Sequence, residues 1–69
     1  MRYGRIVRAS EHDRYATYIV AEENPAKAEA LIRTVVGPGS AVQSIGRASL
    51  KLLDAASLLA GEHKKTENY

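Results

Sequence analysis

The chain contains no cysteine, tryptophan or phenylalanine, and only one methionine, two prolines and two histidines among its 69 residues. Without cysteine there is no disulfide, no thiolate nucleophile and no cysteine-based zinc site. The histidines, His12 and His63, stand far apart in sequence and share no metal-ligand spacing, so no metal is expected. No apolar run approaches the roughly 18 residues needed to cross a bilayer. The start, Met1-Arg2-Tyr3-Gly4-Arg5, lacks the continuous apolar stretch of a secretory signal. These absences lead us to expect a cytoplasmic protein with no membrane partner.

What remains is ordinary for a folded domain. Hydrophobic residues make up 45% of the chain and charged residues 26%, a balance that argues against disorder. A chain this short buries only about 60% of the surface it exposes when unfolded. Small domains therefore often add a disulfide, a metal or a partner subunit, and here only the subunit is left. The formal charge of +2 is unevenly placed. Arg2, Arg5, Arg8 and Arg14 face only Glu11 and Asp13 in the first twenty residues, whereas acids and bases balance beyond them. That is a mild N-terminal bias, well short of the dense basic face of a dedicated nucleic-acid binder.

Residues 3–9 are β-branched and aromatic without helical periodicity, and predict a strand. The polar stretch Ser10 to Arg14 predicts a hairpin loop, and residues 15–22 a second strand. Asn24-Pro25 announces a helix, with Asn as N-cap and Pro at the first helical position. Ala28, Leu31, Ile32, Val35 and Val36 give it one apolar face, and Gly37-Pro38 ends it. Residues 41–47 predict a third strand in which Gly46 marks a bulge or close approach. A second helix is expected from Ser49, its N-cap, to Ala60, with Gly61 closing it. The polar residues 62–69 predict a flexible tail, leaving a single domain over residues 1–61. The order ββαβα predicts an α+β fold: a small two-layer sandwich with a three-stranded mixed sheet and both helices on one face. Ile19, Leu31, Ile32, Val35, Leu52, Leu53 and Leu59 are its expected core.

Candidate chemistry is sparse. Glu11-His12-Asp13 is the one acid/base cluster, and nothing supplies a cleft or a nucleophile beside it, so His12 is expected to be a surface residue without a catalytic role. No catalytic residue, no enzyme activity and no cofactor are expected. Gly37-Pro38-Gly39-Ser40 leaves a helix, whereas phosphate loops lead into one. Gly46-Arg47-Ala48-Ser49 has the better position, and Arg47 and Ser49 are candidate anion contacts there. Arg2, Arg5, Arg8 and Arg14, interleaved with Tyr3, Tyr15 and Tyr18, could hold phosphates while the rings stack bases. The same residues suit a charged edge strand that resists aggregation. Surplus apolar residues point elsewhere: Tyr18 and Val20 on a sheet face left bare by the helices, and Leu50 and Leu58 off the helical arc, form a candidate interaction surface.

The stretch Tyr18 to Ile32, together with Gly46-Arg47-Ala48-Ser49 before a leucine-rich helix, resembles small uncharacterised bacterial α/β proteins. The resemblance implies a bacterial source and a compact α/β fold, and transfers no activity and no site residue. The expected function is a small non-catalytic interaction module acting through protein–protein contacts, with an unknown partner or with itself as a homodimer. The alternative is a weak nucleic-acid-binding protein that uses the N-terminal arginines and tyrosines.

Overall fold

The computed structural model describes residues 2–11 and 13–66, Glu11 by its backbone alone. Six elements follow one another: β1 (Tyr3–Glu11), β2 (Arg14–Val20), α1 (Pro25–Val36), β3 (Val42–Ser49), α2 (Leu50–Ala55) and β4 (His63–Thr66). The strands form one four-stranded sheet in the order β3-β1-β2-β4, with every neighbouring pair antiparallel. The molecule is a small α+β domain. No helix among the described residues is long and apolar enough to cross a membrane.

Local signals placed α1 well. Asn24 Oδ1 accepts hydrogen bonds from the amides of Ala26 (2.9 Å) and Lys27 (3.2 Å), and Pro25 takes the first helical position. At the far end the Gly37 amide donates to the Arg33 carbonyl, and φ of 95° at Gly37 turns the chain away. β2 and β3 both run antiparallel to β1, hence parallel to each other, so α1 is a crossover that carries the chain over β1.

Register assigns each side chain to a face, because paired residues share a face and successive residues alternate. Val7 pairs with Tyr18 and Ala9 with Ala16, and these pack with Val20, Ala28 and Ile32. That is the α1 face. Ile6 pairs with Ile19 and Gly4 with Ala48 on the other face, where Ile19, Ala21 and Ala48 pack with Leu53, flanked by Ile6, Leu52 and Leu58. That is the α2 face.

The expected placement of both helices on one side is therefore corrected: the sheet is sandwiched between them. The reason lies in the connections. The segment after β3 must reach β4 at the opposite edge, three strand spacings or roughly 14 Å away. α1 already occupies one face over β1, and connections do not cross on the same side. The return path uses the other face.

Three further expectations are corrected. The sheet has four strands, all antiparallel to their neighbours, in place of three in a mixed sheet. The fourth comes from residues 63–66 of the expected tail, and the Ala21 amide and carbonyl extend its ladder to Glu62 and Gly61 at 2.8 Å. The second helix stops at Ala55, five residues early. It ends in a Schellman motif: the Leu58 amide donates to the Leu53 carbonyl and the Ser57 amide to that of Asp54, both at 3.0 Å, around Ser57 at φ 58°. Leu58 thereby folds back onto the cluster that holds Leu53. Gly61, at φ 83°, serves the turn from Leu59 to Glu62, in which the Glu62 carboxylate accepts from the Leu59 amide. Leu59 is consequently 74% exposed and Val35 46% exposed, so neither belongs to the core. Ile19, Ile32 and Leu53 do, with Leu31 and Leu52 partly buried at its margins.

Candidate binding surface at the open sheet edge

The two sheet edges differ in kind. β4 is short and offers His63, Lys64 and Lys65 to solvent, a charged edge that discourages further pairing. Among the described residues β3 pairs only with β1, so no strand covers the outer edge of its eight residues, Val42–Ser49. Its register slips between Ile6 and Val7: Ser44 sits opposite Val7, Gly46 opposite Ile6, and Ile45 is the extra residue of a bulge. The amide of Ser44 donates to Glu29 Oε2 of α1 at 2.8 Å, which holds the bulge against the helix.

The bulge and the early end of α2 leave apolar surface uncovered. Ile45 is 44% exposed and Leu50 46%. Gly46 places no side chain opposite Ile6, and a Cβ there would meet nothing within 4 Å. Beside it opens a hollow of about 530 Å³ between β3 and α2. Ile6, Leu52 and Ala55 supply its apolar lining, and Arg47, Ser49 and Lys51 its polar rim.

A second feature lies at the same end of the sheet on the α1 face. Arg5 and Arg47 are directly opposed across β1 and β3, and Tyr3 stands one pleat away. The Arg5 guanidinium carbon lies 5.1 Å from the Tyr3 ring centroid and that of Arg47 4.8 Å, both within cation–π range. Arg5 Nε donates to the Glu23 carbonyl at 2.7 Å, while the Glu23 carboxylate accepts from the Arg2 amide. Neither Arg5 nor Arg47 forms an ion pair with a carboxylate among the described residues.

The other residues singled out in the sequence fall elsewhere. Arg8 stacks over Tyr15 at 5.4 Å, on the α2 face and toward the hairpin end. The N-terminal arginines and tyrosines are thus split between two faces and two ends, and do not form one stripe. The Ser49 hydroxyl caps α2 by accepting from the Leu52 amide at 3.1 Å. Tyr18 and Val20, expected on a bare face, are 4% and 0% exposed. That expectation is corrected, since α1 covers the face they occupy. Leu58 is half-buried against Leu53, and of the four expected surface residues Leu50 alone is exposed. His12 lies outside the described residues.

Set against protein-family models, curated proteins and solved structures, the chain matches none. The geometry must carry the functional argument. Among the described residues no three His, Cys, Asp or Glu side chains gather to hold a metal ion. The β3 edge instead offers backbone that no further strand pairs with, two exposed aliphatic side chains and an apolar hollow with a polar rim. Ile45, Ile6, Leu52 and Ala55 were not singled out in the sequence as surface residues. The signal available was Gly46, read there as a bulge or close approach, one residue beyond the residue that bulges.

Proposed function

We propose that the chain is a small non-catalytic interaction module that pairs with a second copy of itself through the open edge of β3. One observation carries this reading: the only long unprotected strand edge among the described residues bears exposed Ile45 and leads straight into exposed Leu50. Leaving these apolar side chains in water is unfavourable, and burying them is worth roughly 25 cal/mol per Å². An antiparallel two-fold pairing centred on Ile45 places Arg47 opposite Gln43 of the other copy. Like charges therefore do not meet, as they would in a parallel pairing.

A contact built on one strand and the first turn of α2 lies at the small end of specific interfaces, about 1,200 Å². Association should accordingly depend on concentration. Light scattering is expected to show the mass rising from 7.5 kDa toward the dimer as protein approaches millimolar concentration. Because the chain has no cysteine, Ile45→Cys gives a clean test of register. Air oxidation should link Ile45→Cys into disulfide dimers much faster than Leu59→Cys, whose parent residue is more exposed but lies away from the edge. A mass fixed near 7.5 kDa at millimolar protein, or equal cross-linking at both positions, would remove the basis for this reading.

The nucleic-acid alternative has less support, because Arg5 with Tyr3 and Arg8 with Tyr15 lie on opposite faces of the sheet.

A further inference from the structure

We infer that Arg5 and Arg47, gathered on the ring of Tyr3, form a binding site for a phosphate group. The two guanidiniums sit on one aromatic ring, at 5.1 and 4.8 Å from its centroid. They therefore lie within about one Debye length of each other (~10 Å in 0.1 M salt), where like charges still repel. They are also direct cross-strand partners, an arrangement that destabilises a sheet when nothing intervenes. The chain has eight acidic residues, yet none within the described residues forms an ion pair with either arginine. The nearest candidate, Glu23, turns its carboxylate to the Arg2 amide and gives Arg5 only a backbone carbonyl.

That carbonyl fixes the plane of the Arg5 guanidinium through Nε and leaves the two terminal nitrogens available. The Tyr3 ring orients both cations without neutralising them. A phosphate answers both needs: it carries up to two negative charges, and its oxygens can accept from two forks at once. A carboxylate, with two oxygens, is satisfied by a single fork. The phosphate can be free or carried by a nucleic-acid backbone; the split of the remaining arginines between faces favours a small phosphate-bearing molecule.

The test is a titration of the full chain, followed by the side-chain Nε–Hε resonances of its arginines, with inorganic phosphate, pyrophosphate and a short oligothymidylate. The expected result is a saturable shift of Arg5 and Arg47, with Arg8 unmoved. Arg5→Gln and Arg47→Gln should each weaken phosphate binding by about tenfold or more, the loss of one charge-assisted fork. Arg8→Gln, which removes an equal charge from the other cluster, should leave the affinity unchanged. Oligothymidylate that binds more tightly and still shifts Arg5 and Arg47 supports the site and identifies a nucleic-acid backbone as the source. No saturable shift with either phosphate, an Arg8→Gln loss equal to that of Arg47→Gln, or oligothymidylate binding that survives both substitutions overturns the inference. Backbone amide dispersion in each variant verifies that the chain remains folded, so a lost shift reports the site and not unfolding.

Discussion

Replacing Gly4 by alanine is the most demanding test of this packing, because it adds one methyl group where α2 lies against β1 and β2. A Cβ built on Gly4 would overlap the carbonyl oxygen of Val20 and come to 3.0 Å from Cδ2 of Leu53. Leu53 is 1% exposed and cannot swing into solvent without emptying the α2 face of its anchor. The Val20 carbonyl belongs to the backbone of β2 and cannot yield without disturbing that strand. Overpacking a core costs typically 1–3 kcal/mol. With a backbone atom as the obstacle the cost should sit at the top of that range, about 3 kcal/mol.

For a domain of this size total stability is roughly 3–10 kcal/mol. Each kcal/mol is worth about 4–8 °C in melting temperature, so the variant should melt at least ~12 °C lower or fail to fold. Gly46→Ala is the matched control. Its Cβ would meet nothing within 4 Å, and no positive φ distinguishes the site. Removing a glycine there should be neutral or stabilise by up to about 1 kcal/mol through the unfolded chain. Urea unfolding followed by circular dichroism measures both. A Gly4→Ala protein within 0.5 kcal/mol of the parent, or one more stable than Gly46→Ala, would show that the close approach of β1, β2 and α2 is wrong.

Two other expectations bear on α2. Leu53→Ala should cost about 2–5 kcal/mol, whereas Leu59→Ala should fall within roughly 0.5 kcal/mol of the parent, since the first residue fills the α2-face core and the second is exposed; paired urea titrations separate them. Ser57 holds a left-handed conformation at φ 58° in the Schellman turn, a strain of about 1–2 kcal/mol for a residue with a Cβ, so Ser57→Gly should raise the melting temperature by several degrees in calorimetry.

Much of the first half of the chain was legible because its signals are local. Asn24, Pro25 and Gly37 fix both ends of α1, and the β-branched run through Ile19 and Val20 marks β2, because caps and propensities act over a few residues. The second half was misread where long-range geometry overrode local pattern. Leu52, Leu53, Ala56, Leu59 and Ala60 lie at spacings that suit one face of a continuous helix, but the Schellman turn at Ser57 brings Leu58, expected off that face, back to Leu53 and turns Leu59 outward. Gly61 looked like the close of that helix and closes the next turn instead. β4 gave no pattern at all: His63, Lys64 and Lys65 are exposed and bury no apolar face. It is held by its backbone ladder to β2, with the His63 ring 6.1 Å from that of Tyr18 in an edge-on contact.

The side-chain faces follow from this topology, and so does the location of both proposed surfaces. Once α1 has crossed over β1, the chain must return to the far edge beneath the sheet, and the short α2 is what that path leaves beside β3. Ile19, Ala21 and Ala48 are thereby buried, which removes the bare face that composition alone suggested. The shortfall is displaced to the β3 edge, where a six-residue helix is too short to cover Ile45 or to bury Leu50. The same edge brings Arg47 opposite Arg5, a pair that sequence spacing of more than forty residues conceals. Unburied aliphatic groups and unanswered cations thus meet at one edge of the sheet, which α1 holds through Glu29 and α2 is too short to cover. Lys64 and Lys65 guard the opposite edge against strand pairing, which leaves β3 as the edge where a second strand can add.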